Sequence, residues 1–153
     1  MSGYRQPRIR VSGMLWHDDR LLLVRQGRPS SPRWMLPGGG VEAGESLTYA
    51  LERELREEVG LETCSIREPV GLVESIAPPS SPSGRHLLHV IFEVACTDEH
   101  FTKLSACDPD VHELRMCRRD EMLEIPIHPP IAAYLSEWKS GSDFAYFGPL
   151  WAP

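Results

Sequence analysis

Residues 38–61 read GGGVEAGESLTYALERELREEVGL, in which three glycines lead directly into a segment with helical periodicity. Apolar residues recur there every four positions, at Leu47, Leu51, Leu55 and Val59. This spacing places them on one side of an α-helix, which can therefore pack against a sheet. Ser46 is a favourable N-cap, and Gly60 is a favourable stop because glycine tolerates the left-handed conformation. The pattern predicts a helix over residues 46–59.

The same helix carries three acidic residues, Glu54, Glu57 and Glu58, at offsets of three and four positions. With 3.6 residues per turn, their side chains fall within about 100° of one another around the helix. Like charges at that spacing repel, so they imply either open solvent or a hard cation between them. Arg53 stands four positions before Glu57, and its guanidinium can hold that carboxylate and offset part of the repulsion.

Written as spacing, the stretch is Gly39-x5-Glu45-x7-Arg53-Glu54-Leu55-x-Glu57-Glu58-x-Gly60-Leu61, which resembles the Nudix box at every defined position. The flanking strands also resemble the Nudix order of elements. The resemblance implies a Nudix hydrolase that uses a metal to cleave the diphosphate bond of a nucleoside diphosphate linked to another moiety. The implied fold is α+β, a Nudix-like α/β/α sandwich with a mixed β-sheet between helices, and the order of strands and helices in this sequence agrees with it.

The resemblance also implies roles for single residues. The metal ligands it implies, for Mg²⁺ or alternatively Mn²⁺, are the backbone carbonyl of Gly39 and the side chains of Glu54, Glu57 and Glu58. The same three glutamates and Arg53 form the implied catalytic set, and Glu45 matches the position that supports Arg53. The general base varies within the family between a box glutamate, here Glu54, and a more distant one. Glu113 is the candidate for the distant carboxylate, and it fits an ordinary surface glutamate equally well.

Substrate contacts rest on residue type alone. Four arginines, Arg25, Arg28, Arg33 and Arg85, could contact phosphate, and Trp34 could stack on a base; Arg25, Arg28, Arg85 and Trp34 are carried forward as candidates. Each arginine by itself is more typical of a solvated surface, and the apolar neighbours of Trp34 favour a core position. His86 and His89 are interpreted as packed or solvated residues without a catalytic role. The proline-rich loop 77–85 is either a rim over the substrate or an ordinary solvent loop.

The remaining segments are assigned from their periodicity and composition. The sequence predicts strands over 8–16, 20–25, 70–76, 86–96 and 111–117, a surface loop over 26–33, irregular structure over 97–110 and a helix over 129–139. Without an internal repeat or a shift in composition, we expect a single domain over 1–153. Its C-terminal tail, 141–153, is rich in aromatic residues, and we expect it to dock on its own domain or on a second subunit of a homodimer.

Composition narrows the class of protein further. The chain has 153 residues, with 16 basic against 22 acidic side chains and a net charge of -6. This sign argues against an extended nucleic-acid surface, although a few local arginines can still hold one small anionic ligand. The longest apolar runs are too short to cross a bilayer, and the N-terminus lacks a secretory apolar core, so the sequence predicts a cytoplasmic protein without membrane association. The four cysteines show no zinc or redox spacing and are interpreted as reduced structural thiols.

Two classes of function remain open at this stage. The first is a metal-dependent Nudix pyrophosphohydrolase that acts on a small nucleotide, such as ADP-ribose, a nucleotide sugar or a nucleoside triphosphate. The second is a catalytically silent Nudix domain that senses a ligand or binds a partner. The complete set of box glutamates favours the enzyme. An isomerase of this fold acting on a prenyl diphosphate is disfavoured, because the cysteine motif expected for it does not accompany the box.

Overall fold

The computed structural model describes residues 3–152, so residues 1, 2 and 153, which end the expected domain and tail, lie outside it. In chain order the elements are β1 (Arg8–His17), β2 (Arg20–Arg28), β3 (Ser31–Met35), β4 (Gly38–Gly40), α1 (Leu47–Val59), β5 (Ser65–Ile76), β6 (His86–Ala95), α2 (Asp98–Thr102), β7 (Glu113–Arg118), a 3₁₀ helix (Glu121–Glu124), α3 (Ala132–Glu137) and β8 (Ala145–Leu150). No helix within residues 3–152 is long and apolar enough to span a membrane.

The strands form one mixed sheet with the order β3-β2-β1-β6-β5-β8, while β4 pairs with β1 and β7 pairs with β2. The pairs β1 with β6 and β5 with β8 are parallel, and the other pairs are antiparallel. Along β2, alternate residues enter two separate apolar clusters, Leu21 and Leu23 the first and Leu22 and Val24 the second. Because successive side chains of a strand point to opposite faces, the sheet lies between the two clusters.

Each apolar cluster is closed by a different helix. Leu51, Leu55 and Val59 of α1 are fully buried in the second cluster, and Leu135 of α3 is fully buried in the first. The sheet is therefore sandwiched between α1 and α3. The α+β Nudix-like sandwich that the sequence analysis predicted is confirmed.

Helix α1 begins and ends at the residues that the sequence indicates. The side-chain oxygen of Ser46 accepts a hydrogen bond from the backbone amide of Tyr49 over 3.1 Å, which satisfies one of the free amides of the first turn. Gly60 has a φ of 72° in the left-handed region, and its amide donates to the carbonyl of Arg56. These caps fix the length of the helix, and the buried apolar stripe fixes its rotation.

The prediction of a surface loop over 26–33 is wrong. Strand β2 continues to Arg28, and β3 begins at Ser31 after a two-residue turn, with Gly27 opposite Pro32. The glycine, prolines and serines of this stretch are typical of a loop, but β3 is the outermost strand on its side of the sheet. A proline can occupy an edge strand because no neighbour there needs its missing amide hydrogen. The hairpin therefore forms despite its composition.

Other boundaries also differ from the expectation, and β5 begins at Ser65, five residues before the predicted start of its strand. The irregular segment 97–110 contains the short helix α2, which Thr97 caps through the amide of His100. The closing helix, expected over 129–139, spans only Ala132–Glu137. Pro130 disfavours a helical conformation for the residue before it, so the helix begins after both prolines.

The aromatic tail docks on its own chain, as one of the two expected alternatives. Strand β8 pairs in parallel with β5, with Val73 opposite Phe147. The ring of Phe147 contacts Tyr134 of α3 edge to face, with the ring centroids 5.0 Å apart. The tail is thus part of the sheet, while a homodimer stays a prediction.

Candidate active site

The three box glutamates differ in their exposure although they share one helix. Glu57 is exposed, the side chain of Glu54 is mostly buried, and Glu58 is 4% exposed. This order follows from the rotation of α1, since Glu58 lies next to the buried apolar stripe and Glu57 faces away from it. The carboxylates therefore do not form the uniformly solvated face that an ordinary acidic helix would have.

Arg53 is the centre of a polar network that joins the helix to the segment before it. Its guanidinium donates to both carboxylate oxygens of Glu45, with Nε to Oε1 at 2.6 Å and Nη2 to Oε2 at 2.9 Å. It also donates to Glu54 Oε1 at 2.9 Å and to the carbonyl oxygen of Gly40 at 3.1 Å. Bidentate contacts of this kind are the strong form of an arginine–carboxylate pair, and they hold the pKa of Glu45 at about 2.

The sequence analysis predicted Glu57 as the carboxylate that Arg53 holds, but in the structure Arg53 makes shorter contacts with other glutamates. The distance from Nη1 of Arg53 to Oε2 of Glu57 is 3.4 Å, longer than the contacts with Glu45 and Glu54. Glu57 is therefore the weakest partner of Arg53. The position of Glu45 agrees with the supporting role that the family resemblance implied for it.

Glu58 is a buried carboxyl group with one unpartnered oxygen. Among the described residues, its Oε1 has no hydrogen-bond partner. Burial raises the pKa of Glu58 to about 8, although the guanidinium of Arg10 favours the charged form. A buried polar atom without a partner is costly, so an explanation such as a ligand that binds there is expected at this position.

Gly39 lies directly against the carboxylate of Glu54. A Cβ built on Gly39 would collide with all three atoms of that carboxylate group. Only glycine leaves room for this contact, which brings the backbone of β4 beside the acidic face of α1. Gly39 and Glu54, both predicted metal ligands, are thus brought together.

These residues fit a hard divalent cation. Their donor atoms are carboxylate and carbonyl oxygens, the ligands that Mg²⁺ prefers, and Glu58 supplies an oxygen that lacks a partner. Within the described residues 3–152, no group of three or more His, Cys, Asp or Glu side chains converges tightly enough to enclose a metal ion. One reason is that Arg53 engages oxygens of both Glu54 and Glu57.

A cavity of about 420 Å³ adjoins this acidic face. Gly40, whose carbonyl binds Arg53, lines it, and so does Arg10, whose charge acts on both Glu54 and Glu58. The charged side chains that line the cavity are all arginines, Arg5, Arg8, Arg10, Arg33 and Arg85. Among the described residues, none of these five has a carboxylate within ion-pair distance, although most other arginines of the chain do. In a protein of net charge -6, such a cavity favours an anionic ligand.

The predicted substrate contacts are only partly brought to this cavity. Arg85 lines it, whereas Arg25, Arg28 and Trp34 do not. Arg25 instead forms an ion pair with Glu113, with Nε 3.2 Å from Oε2, and Arg28 is exposed beside the hairpin turn. Trp34 is 7% exposed and packs in the first apolar cluster, so the core position that its neighbours favoured is the one it occupies.

Sequence reasoning missed Arg8 and Arg10, which point into the cavity from β1. The signal was present, because the two arginines alternate with Ile9 at the start of a predicted strand and so share one face. Arg10 is partly buried, and within the described part of the chain its hydrogen bonds are two long ones, with the sulfur of Met35 at 3.6 Å and the carbonyl of Gly38 at 3.4 Å. A guanidinium with such weak partners is available to an anionic ligand.

His89 is a buried residue of the cavity wall, and it predicts a pH dependence of stability. Burial, together with the charge of Arg10, lowers the pKa of His89 from 6.5 to about 4. The unfolded chain therefore binds a proton at pH values where the folded protein does not, so the free energy of unfolding falls as the pH drops from 6.5 to 4. The full effect of this one group is roughly 3 kcal/mol.

As the pH drops from 6.5 to 4, we expect the free energy of unfolding of His89→Gln to fall by roughly 3 kcal/mol less than that of the wild-type protein. Urea denaturation of the two proteins at intervals of pH measures the difference. Above pH 7.5 both side chains are neutral, so the gap between the two proteins should become constant there. Parallel curves down to pH 4 would contradict a neutral buried His89.

Comparisons with known proteins agree with this geometry. A family model described as NUDIX domain matches residues 6–139. An ADP-ribose pyrophosphatase from Methanocaldococcus jannaschii is 31% identical over 140 residues, which are 90% of this chain and 78% of that protein. The structure of a MutT NUDIX hydrolase from Burkholderia pseudomallei superposes with a TM-score of 0.66 at 24% identity, covering 88% of this chain and 100% of that chain.

A UDP-X diphosphatase superposes with a TM-score of 0.69 at 18% identity, covering 94% of this chain and 68% of that chain. At these identities the two superpositions establish the fold alone. The match of the family model over most of the chain and the identity with the archaeal relative extend the conclusion to the family. With the complete box on α1, this chain belongs to the Nudix family of hydrolases.

Proposed function

We propose that the protein is a divalent-metal-dependent pyrophosphohydrolase that cleaves the diphosphate bond of a small nucleotide derivative. The observation that carries the proposal is the buried, unpartnered oxygen of Glu58, which lies with Glu54 and Gly39 beside a cavity lined by arginines. Oxygen ligands next to unpaired cations suit a metal-bound diphosphate. ADP-ribose, a nucleotide sugar and a nucleoside triphosphate all contain this group, and the relative named ADP-ribose pyrophosphatase makes ADP-ribose the first to test.

Each part of the site has a separate task in this proposal. Glu54, Glu57, Glu58 and the carbonyl of Gly39 would hold Mg²⁺, or Mn²⁺ in its place. When bound there, the cation would supply neutralisation of phosphate charge and a water ligand of lowered pKa as a potential nucleophile. Arg53 is a positioning residue, since its bonds to Glu45 and Gly40 fix the direction from which it holds Glu54. Glu58 must give up its proton before both of its oxygens can act as ligands, because burial stabilises its neutral form.

The chain's own cations complete the site on the substrate side. Arg10 acts on the box carboxylates and also lines the cavity, so it could contact a phosphate oxygen of the substrate. Burial is the main cause of the lowered pKa of Arg10, and the nearby charges of Arg85 and Arg8 add to it, so an anion between these arginines would relieve their mutual repulsion. Glu113 stays the candidate for the distant carboxylate. Its side chain forms an ion pair with Arg25.

A substrate panel tests the proposal. Purified protein is incubated with ADP-ribose, UDP-glucose or dGTP in the presence of Mg²⁺ or Mn²⁺, and the released phosphoryl products are converted to inorganic phosphate by a coupled phosphatase and measured. We expect turnover of at least one compound and its complete loss when the metal is chelated. Tight binding of a nucleotide without turnover under any metal would instead support the catalytically silent ligand sensor.

A further inference from the structure

We infer that Trp151, at the end of the C-terminal strand, is the surface on which the base of the substrate stacks. This inference rests on the proposed function, and it names a specificity-determining residue of the same site. The sequence selected Trp34 for stacking, and the family box has no counterpart of Trp151 because the box ends at Leu61.

The pairing of β8 brings Trp151 to the cavity. Leu150, the last residue of β8, lies opposite Ser75 of β5, and Ser75 itself lines the cavity. The chain then continues directly into Trp151, which lines the cavity and remains partly exposed. The docked tail therefore contributes a side chain to the site.

Trp151 differs from the other tryptophans in having no place in the core. Trp34 and Trp138 are buried in the first apolar cluster, and Trp16 packs against that cluster and stacks on Trp138. Trp151 belongs to neither cluster. Among the described residues that line the cavity, it is the one Phe, Tyr or Trp side chain. A large aromatic ring that faces a cavity without packing in the core is available to stack on a ligand.

The order of strands gives the direction in which the substrate would lie. The glycines of β4 pair with β1, and the sheet continues from β1 through β6 and β5 to β8. Leu150 of β8 lies opposite Ser75 near the end of β5. Four strand spacings of about 4.8 Å separate β4 from β8, or roughly 19 Å. Trp151 lines the cavity from the far end of this gap, so an extended nucleoside diphosphate derivative with its diphosphate toward Gly39 can bring its base to Trp151. The arginines between the two ends match the negative charge of the diphosphate.

The cavity size agrees with a nucleoside. Its volume of about 420 Å³ falls in the range of sites that bind small molecules, roughly 300–1,000 Å³. Its lining combines apolar side chains of the first cluster, such as Ile127 and Leu135, with histidine and serine side chains. A purely polyanionic ligand would leave this apolar part of the wall without a partner, whereas the base and ribose of a nucleotide would cover it.

The experiment compares two ligands that differ only in the base, AMP and ribose 5-phosphate. Isothermal titration calorimetry gives the affinity of each for the wild-type protein and for Trp151→Ala, Trp151→Phe and Tyr146→Ala. Tyr146 is an exposed aromatic residue of β8 that does not line the cavity, so its variant controls for disturbance of β8. Steady-state kinetics with the best nucleotide substrate of the wild type complete the comparison.

We expect Trp151→Ala to weaken AMP binding roughly 5- to 150-fold, the range for loss of one stacked base, and to leave ribose 5-phosphate binding unchanged. The KM for the nucleotide substrate should rise while kcat is retained. Trp151→Phe should restore most of the affinity, and Tyr146→Ala should have little effect. AMP should also quench tryptophan fluorescence in the wild type more than in Trp151→Phe, a measurement that does not require the alanine variant to fold.

The inference is overturned if Trp151→Ala binds AMP as tightly as the wild type, or if AMP quenches wild-type and Trp151→Phe fluorescence equally. It is also overturned if the wild-type protein binds AMP no more tightly than ribose 5-phosphate. In each of these cases the proposed function still stands as long as the panel shows metal-dependent turnover. Absence of both turnover and nucleotide binding would reject the two together.

Discussion

Replacing Glu58 by glutamine will lower kcat/KM for the best nucleotide substrate roughly 10²- to 10⁴-fold, because a metal site supplies several kcal/mol of transition-state stabilisation. Glutamine keeps the shape of the side chain but offers one weak oxygen ligand in place of two charged ones. The fold should be intact, since the neutral form of Glu58 is already the one that burial favours. The melting temperature of the metal-free variant should equal or exceed that of the wild type, with an advantage that grows as the pH rises from 4.5 to 8 and is constant above pH 8, because the unfolded wild-type chain releases the Glu58 proton at a lower pH than the folded protein does.

Kinetics with saturating Mg²⁺ and thermal denaturation without metal measure these two effects. Glu52→Gln is the matched control, because Glu52 is an exposed glutamate of the same helix that makes no contact within the site network. It should retain wild-type rates. Wild-type turnover in Glu58→Gln would refute the assignment of Glu58 as a metal ligand, and a lower melting temperature would show that the residue acts mainly through stability.

The second large effect is expected for Gly39→Ala, which adds a methyl group where the carboxylate of Glu54 lies. The obstacle is the end of a flexible side chain, so Glu54 can swing away and the protein should still fold. Its carboxylate would then leave the position in which Arg53 holds it. Displacement of a reacting or ligating group by about 1 Å costs on the order of 10²-fold in rate, and we expect a loss of that size in kcat/KM.

Gly40→Ala is the control for this prediction. A methyl group on Gly40 meets only the guanidinium of Arg8, at an ordinary contact distance of 3.6 Å. This neighbouring variant should therefore keep most of its activity, and the two melting temperatures should be similar. Equal activities of the two alanine variants would mean that the closeness of Gly39 and Glu54 has no part in catalysis.

The half of the site on α1 could be predicted from sequence because its signals are local. Ser46, the apolar stripe and Gly60 determine where the helix lies, and the spacing of the glutamates then determines their common face. The detailed pairing was less accessible. A spacing of four residues favoured the contact of Arg53 with Glu57, but the tight contact is with Glu45, which precedes the helix and reaches Arg53 through the turn that begins it.

The half of the site that faces the substrate could not be predicted, because distant segments build it. Arg5, Arg33, Arg85 and Trp151 come from four separate parts of the chain, and only the strand order brings them to one cavity. The arginines could not be ranked from the sequence, yet their surroundings differ completely. Arg25 forms an ion pair with Glu113, whereas within residues 3–152 no carboxylate lies within ion-pair distance of Arg85 at the cavity. The loop-like composition of residues 26–33 likewise led to a wrong prediction for the hairpin formed by β2 and β3. Arg33 of this hairpin lines the cavity.

Because Trp151 follows β8, the parallel pairing of β8 with β5 couples docking of the C-terminal tail to nucleotide binding at the candidate site. It joins Val73 with Phe147, positions far apart in the chain, and contacts of this kind form late in folding because a long loop must close first. Strand β8 is also the outermost strand on its side, so it can detach from the edge at the cost of the contacts that Phe147 and Leu150 make with the first apolar cluster. The apparent affinity for a nucleotide that needs Trp151 is then scaled by the fraction of molecules with the tail in place. Ligand binding and tail docking should therefore stabilise each other, and nucleotide should protect the amides of β8 from hydrogen exchange.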